Sequence, residues 1–433
     1  MKTHSLTIVH VTATLLLAAC TMLSCSDDDD NGTQTVPPEV TSVSPTEGPK
    51  ATVVTINGTN FSTTLTENKV TFNGRIATVT AATATQLMVT VPPASDSGPI
   101  VVTSKSQTAT NQPVFTFHWS VGTLAGTTQG YEDGLAAKFN APSGIAADSL
   151  GNTYITDFGN HLIRKTTPTG AVSTVAGSAP GIQDGVGTSA KFYYPNGSAV
   201  DKLGNIYVSE EGTARIRKIT PAGEVSTFAG NVIGNADGIG MSAQFMNPSG
   251  IAIDKQNNLY VADQFNHRIR KITPAGIVTT LAGSTQGYAD GSGSGAQFYR
   301  PVGVVADAQG NIFVADLFNH KIRKITPSGG VSTIAGSTHG FADGNGTAAK
   351  FAFPSGLALD KEGNLYVADS DNHRIRKITP TGMVSTFAGT GTSGTNDGMA
   401  TSSQFFAPRE VDVDAQGNVY VVDAGSHRIR RIN

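Results

Sequence analysis

The sequence predicts an all-β chain: a small β-sandwich followed by a six-bladed β-propeller, closed by a strand from the propeller's own N-terminal side. Four observations predict it. A Phe-x-x-Pro pattern recurs at Phe139/Pro142, Phe192/Pro195, Phe245/Pro248, Phe298/Pro301, Phe351/Pro354 and Phe405/Pro408, at spacings of 53, 53, 53, 53 and 54 residues. Each unit of that length carries four short apolar runs divided by turn residues, which is the pattern of one propeller blade. The sixth unit has only three such runs before Asn433, and Val121 to Ala125, just ahead of the first unit, supply the fourth. Ahead of the units, residues 39–117 hold short Thr- and Val-rich runs with no helical period, which suits a sandwich.

The unit starting at Pro248 shows how a blade is written. Gly250 to Asp254 is an apolar strand, Lys255 to Asn258 a turn, and Leu259 to Asp263 a second strand. After a turn over Gln264 to His267, Arg268 to Thr273 alternate cation and isoleucine. Pro274-Ala275-Gly276 turns once more, and Val278 to Ala282 form the fourth strand. Borrowing the last strand of blade six from residues 121–125 pairs the edges that an open ring would expose. Residues 121–433 therefore read as one closed domain, with Phe117 to Ser120 as its hinge to the sandwich. The units resemble NHL repeats, on the core Tyr260-Val261-Ala262-Asp263 with Asn266-His267-Arg268-Ile269. The resemblance implies a binding platform, with a minority of related propellers acting as lyases or hydrolases.

In the sandwich, Val53 to Ile56, Lys69 to Phe72, Ile76 to Val79, Leu87 to Val91 and Ile100 to Thr103 are predicted strands, and Asn73-Gly74 is a two-residue hairpin signal. Val43-Ser44-Pro45 with Gly48, Ile56 to Phe61, and Val70 to Gly74 resemble the IPT/TIG family of immunoglobulin-like domains. That implies a spacer or interaction module without catalytic residues.

Charge is nearly balanced, with 30 Lys plus Arg against 33 Asp plus Glu, so no global field argues for a nucleic-acid partner. The 49 glycines fit a chain with many tight turns. The two cysteines, Cys20 and Cys25, both precede the folded part, which leaves it no disulfide, thiolate metal site or thiol nucleophile. Residues 1–25 read as a secretion signal too short and polar to span a membrane permanently. Leu17-Ala18-Ala19-Cys20 and Met22-Leu23-Ser24-Cys25 each resemble a bacterial lipobox. Asp27 to Asp30 follow Cys25 as in lipoproteins exported to the cell surface, which favours Cys25 as the lipidated residue. Residues 26–38 are then an acidic, flexible tether. The expected location is the outer membrane, cell-surface exposed, with the membrane touched only through the lipid anchor.

Positions shared by the blades read as structural. His161, His267, His320, His373 and His427 recur at one repeat position, and a ring of equivalents suits turn-holding hydrogen bonds better than catalysis. Asp157, Asp263, Asp316, Asp369 and Asp423 end the second strands beside the Arg-Ile-Arg-Lys runs, which suggests ion pairs. Asp148, Asp201, Asp254, Asp307, Asp360 and Asp414 open Asp-x-x-(Gly/Asn)-Asn hairpins and lack the further acidic ligands of a calcium loop. The cationic strands hold 17 of the 30 basic residues, and their alternation reads as one solvated face. No cofactor or metal is expected.

Function is sought where the repeat breaks its own rule. Blade two has Ser209-Glu210-Glu211 where others have Ala-Asp, blade six has Pro408-Arg409-Glu410 where others have Pro-Ser-Gly, and Tyr193-Tyr194 and Tyr299-Arg300 precede two of the prolines. Propeller geometry opens these loops on one face. The expected ligand-binding set is Tyr193, Tyr194, Glu210, Glu211, Tyr299, Arg300, Phe353, Phe406, Arg409 and Glu410, joined by Phe158, Phe265 and Phe318. Aromatic faces beside hydrogen-bonding charges suit sugar rings. The first expectation is thus a surface binding protein for a polysaccharide, oligosaccharide or other extracellular polymer, beside an outer-membrane transporter. The alternatives are a propeller lyase or hydrolase using Glu210, Glu211 and Glu410 as acid and base, and a protein–protein scaffold.

Overall fold

The computed structural model describes residues 36–93 and 95–433. The expected secretion signal, both cysteines and most of the tether lie outside these residues.

The sandwich contains all five predicted strands, observed as Val53–Thr59, Asn68–Phe72, Arg75–Ala82, Gln86–Thr90 and Gly98–Ser104. Glu39–Ser44 and Val114–Phe117, unforeseen in the sequence, pair onto this set. Inward residues alternate along the strands, as Val54 and Ile56 or Val70 and Phe72, and form one buried core. Phe72 pairs with Arg75 across the hairpin. Asn73 and Gly74 both take positive φ, 45° and 82°, the backbone that a two-residue turn between right-twisted strands requires.

Six sheets follow, each of four antiparallel strands running from the channel outward. The innermost strands of blades one to six are Ile145–Ala147, Pro195–Val200, Pro248–Ile253, Pro301–Ala306, Pro354–Leu359 and Pro408–Val413. Ser120–Ala125 is the outer strand of blade six and pairs antiparallel with Arg428–Ile432, Val121 opposite Ile432. Closure by an N-terminal strand is therefore observed. In blades two to six a two-residue strand, such as Gly238–Ile239, caps the outer edge, a feature absent from the expectation.

The cationic third strands have no solvated face. Their burial does not alternate: in Arg268–Ile272 the second, third and fifth residues are buried. Two causes act together. The strand lies inside its sheet with a neighbouring blade on each side, and a bulge against the fourth strand shifts the register between Ile269 and Arg270. Arg164, Arg217, Arg270, Arg323, Arg376 and Arg430 are each 0% exposed. Each lies about 5 Å from the ring of its blade's Phe-x-x-Pro phenylalanine, as Arg270 does from Phe245. Arg270 Nη1 donates to Asp263 at 2.7 Å, and Nη2 to Asp237 at 2.7 Å. The inner partner is the predicted strand-end acid. The outer one comes from an Asp-Gly pair recurring at Asp133, Asp184, Asp237, Asp290, Asp343 and Asp397.

The histidines do more than hold their own turns. Each adopts a left-handed backbone, and its Nδ1 accepts a backbone N–H from the next blade: Tyr194 to His161, Arg300 to His267, Phe353 to His320, Ala407 to His373 and Ala141 to His427. Among the described residues, only the junction of blades two and three lacks the latch, with Ala214 at this position. The hairpin aspartates behave as expected: Asp254 accepts the N–H groups of Gln256 and Asn258 and the amide of Asn258.

Phe117 to Ser120 form a packed joint, not a hinge. The Trp119 ring lies 5.2 Å from Phe117 and 5.0 Å from Phe387 of blade five. Arg75 pairs with Glu362 at 2.6 Å, and Lys50 donates to Asn418 at 2.9 Å.

Candidate functional site

The loops entering the innermost strands and the turns leaving the second strands open on one face. The innermost strands of neighbouring blades approach closely there, for a reason visible in the repeat. Gly144, Gly197, Gly250, Gly303 and Gly356 occupy one position on the innermost strands, and each backbone lies against that of the next blade: a Cβ at Gly197 would meet the Ser249 carbonyl, and one at Gly250 the Val302 carbonyl. Only Glu410 puts a side chain at this ring position.

A cavity of about 300 Å³ opens at this mouth, lined among others by Asn196, Gln264, Ser355, Ser370, Arg409 and Glu410. Glu410 also lines the channel behind it, about 230 Å³, together with Asp412. Arg409 Nη2 donates to Asn196 Oδ1 at 3.4 Å, and the guanidinium lies 5.5 Å from the Phe158 ring. Its backbone carbonyl accepts the Ser355 hydroxyl at 2.6 Å, which fixes the loop. Glu211 bridges two blades, accepting from Asn196 at 3.0 Å and Asn247 at 2.7 Å. Asn196 thus ties the acid to the cation. A guanidinium offers five donors, so one long bond leaves Arg409 with ample capacity for a ligand.

Burial pushes the Glu410 carboxyl up to about 8, with Asp412 adding to the shift; the N–H groups of Val411 and Leu357 and the charge of Arg409 oppose it. Asp412 is pushed up to about 6, again chiefly by burial. Burial also lowers Arg409, partly offset by Glu211 and Glu410. At neutral pH the mouth therefore presents the Arg409 guanidinium beside a Glu410 carboxyl that keeps its proton.

The expected residues fall into separate groups. Tyr194 stacks on Phe158 at 4.8 Å and Tyr193 lies 4.5 Å from Tyr194, an aromatic file beside Arg409. A second group sits across blades three to five: Tyr299 stacks on Phe318 at 4.9 Å, Phe353 meets Phe318 at 5.4 Å, and Arg300 lies 4.3 Å from Phe265. Phe353 also lines the mouth. Phe406 folds over Gly425, its ring 6.1 Å from His373, and is 46% exposed.

Glu210 is a correction. It is 0% exposed and pairs with Arg217 at 3.0 Å, taking the place of the aspartate found in every other blade. The longer acid is matched by a shorter donor, Thr213 in place of asparagine, at 3.0 Å. No ligand reaches it, and it leaves both the binding set and the acid–base set.

Sequence reasoning missed Asn196, Asn247, Gln264, Ser370 and Asp412. The signal for Asp412 was available: Ala146, Ala199, Ala252, Val305 and Ala358 hold its position in the other blades.

Comparison with known proteins agrees with this architecture. The IPT/TIG domain model matches residues 38–117, and the NHL repeat model matches 139–165, 245–272, 298–325 and 351–378. Blades two and six, which carry Glu211 and Arg409-Glu410, fall outside those matches. The human NHL repeat-containing protein 2 is 30% identical over an alignment covering 58% of this chain and 41% of its own length. The chain spans less than half the length of the curated relatives it first matches. Among solved structures, a structural genomics protein of unknown function from Bacteroides thetaiotaomicron is similar at a TM-score of 0.67 and 24% identity, over 92% of this chain and 98% of that one. An auxiliary nutrient binding protein from the same species is similar at 0.57 and 19% identity, with the same coverage. Both share the fold.

Proposed function

We infer that this chain, an NHL-repeat propeller with an IPT/TIG domain ahead of it, is a binding protein that takes an extracellular ligand at the mouth of its channel. The observation that carries the reading is Arg409: a half-buried guanidinium with unused donors, flanked by the Phe158–Tyr194 stack and by Glu211, over a cavity of about 300 Å³. A ring-shaped, hydroxyl-rich ligand fits these groups. Its C–H face stacks on the aromatics, and its hydroxyls meet Arg409, Glu211 and Gln264. A glycan is the ligand class we propose. An auxiliary nutrient binding protein shares the fold, which supports a role of this kind.

The location belongs to the same proposal. A lipid on Cys25 or Cys20 holds the protein at the outer membrane, facing outward, beside a transporter that imports what the propeller captures. Metabolic labelling with a fatty acid in Cys20→Ser and Cys25→Ser variants identifies the anchor, and protease treatment of whole cells tests exposure.

The test of the binding reading is a glycan-array screen of the full-length protein followed by calorimetry on any hit. Saturable binding that Arg409→Ala reduces at least tenfold, and that Phe406→Ala leaves intact, supports it. A hit indifferent to Arg409→Ala would remove the ligand from this mouth. The lyase or hydrolase alternative keeps only Glu211 and Glu410 as acid and base, and turnover lost in Glu410→Gln would favour it.

A further inference from the structure

The repeats allow one blade junction to be compared with the next on the side where the sandwich docks. At the junction of blades five and six, Trp119 packs on Phe387, which itself lies 4.8 Å from Tyr366. Asp360, Glu362, Lys377 and Gly417 line, together with Trp119, a residual space of only about 30 Å³.

One repeat earlier, the residues equivalent to Phe387, Tyr366, Asp360, Glu362, Lys377 and Gly417 are Ile334, Phe313, Asp307, Gln309, Lys324 and Gly363. All six line an open cleft of about 670 Å³ between blades four and five. Among the described residues no aromatic side chain besides Phe313 lines it. Asp360 and Glu362 line both spaces, so the cleft is continuous with the joint that Trp119 fills.

The cleft also differs chemically from its siblings. Tyr260, Tyr366 and Tyr420 donate their hydroxyls to the hairpin aspartates Asp254, Asp360 and Asp414, at 3.0, 3.3 and 3.0 Å. Blade four has Phe313 at this position. Among the described residues, Asp307 Oδ2 therefore accepts only from Asn311, at 2.6 Å, and keeps a lone pair for another donor. An indole combines a flat apolar body with one N–H donor. It matches both the apolar wall of Phe313 and Ile334 and the unfilled acceptor on Asp307.

We propose that the cleft between blades four and five is a docking site for an extended segment of a partner protein that presents a tryptophan side chain, as Phe117 to Ser120 do at the next junction. The site is separate from the channel mouth and is independent of what binds there.

The probe is a synthetic peptide of residues 114–123, titrated into the full-length protein by calorimetry, beside the same peptide with Trp119→Ala and beside N-acetyltryptophanamide. The blocking variant is Ala308→Trp. Ala308 is exposed on the hairpin that lines the cleft, at a position where other blades carry Lys202, Lys255 and Lys361, so the fold tolerates a long side chain there. The expected result is saturable peptide binding, weakened at least tenfold without the indole and abolished by Ala308→Trp at an unchanged melting temperature. Absence of saturable binding, or binding that survives Ala308→Trp, overturns the site. Equal affinity for the peptide and N-acetyltryptophanamide overturns the assignment to a polypeptide segment.

Discussion

His427 accepts the backbone N–H of Ala141 through Nδ1 at 3.0 Å, a contact between residues 286 positions apart that latches the last blade to the first. An imidazole accepts at Nδ1 only while that nitrogen is unprotonated. Burial lowers the pKa of His161, His267, His320 and His427 below the ordinary 6.5, with Arg300 adding to it at His267, and His339 and Lys321 at His320 against the opposing charge of Asp371. The unfolded chain therefore binds more protons as pH falls below about 6.5. The stability from these latches is complete above that value and is lost as pH drops toward the lowered folded pKa values. The melting-temperature gap between the parent protein and His427→Ala, followed from pH 8 to pH 5, should begin to close near 6.5. His427→Ala should cost about 1 kcal/mol at pH 8 and should flatten the acid slope; an unchanged slope would remove His427 from the effect.

Removing one member of a buried ion pair strands the other. Arg270→Ala leaves Asp263, 0% exposed, without its cation, and should cost about 3–5 kcal/mol. Arg268, two residues earlier and only partly buried, should cost less than about 1 kcal/mol when replaced by alanine. Urea unfolding of both variants makes the comparison. Equal costs would contradict the burial pattern of the strand.

Glu410 should destabilise the fold at high pH. Its folded pKa of about 8 lies above the ordinary 4.5, so the folded chain holds the proton through that window and stability falls as pH climbs across it. Glu410→Gln keeps the neutral shape without the titration. It should melt with the parent protein at pH 4 and increasingly above it as pH rises to 8.5.

The packed joint makes its own prediction. Trp119→Ala removes the ring between Phe117 and Phe387 and should cost about 2 kcal/mol, less than a fully buried tryptophan. Limited proteolysis should then cut between residues 117 and 120 faster than in the parent. Unaltered cleavage would return this segment to the role of a hinge.

The Phe-x-x-Pro spacing made the propeller legible because blade length and blade core repeat together, and the borrowed strand followed from counting runs. The five predicted sandwich strands emerged from alternation alone. Alternation failed at Arg268–Ile272, because a period of two says which residues share a face and not whether water covers that face. Glu210 was misread for a related reason: it broke the repeat in identity while keeping the role of Asp263, with Thr213 making up the difference in length. Arg409 and Glu410 broke it in role as well. Close contact between neighbouring innermost strands leaves room only for glycine where Glu410 stands in blade six. Asn196 and Asn247 reach Glu211 from different blades, a proximity that only the closed ring creates.

Closure by Ser120–Ala125 also sets an order in time. Ser120 contacts Asn433, 313 residues later in the chain. At about 5–20 residues per second, roughly 15–60 s separate the synthesis of the two. Until residues 398–432 are made, the propeller's first strand has no partner, and its open edge can pair with any passing β-strand. A chain built this way gains from being kept unfolded until it is complete.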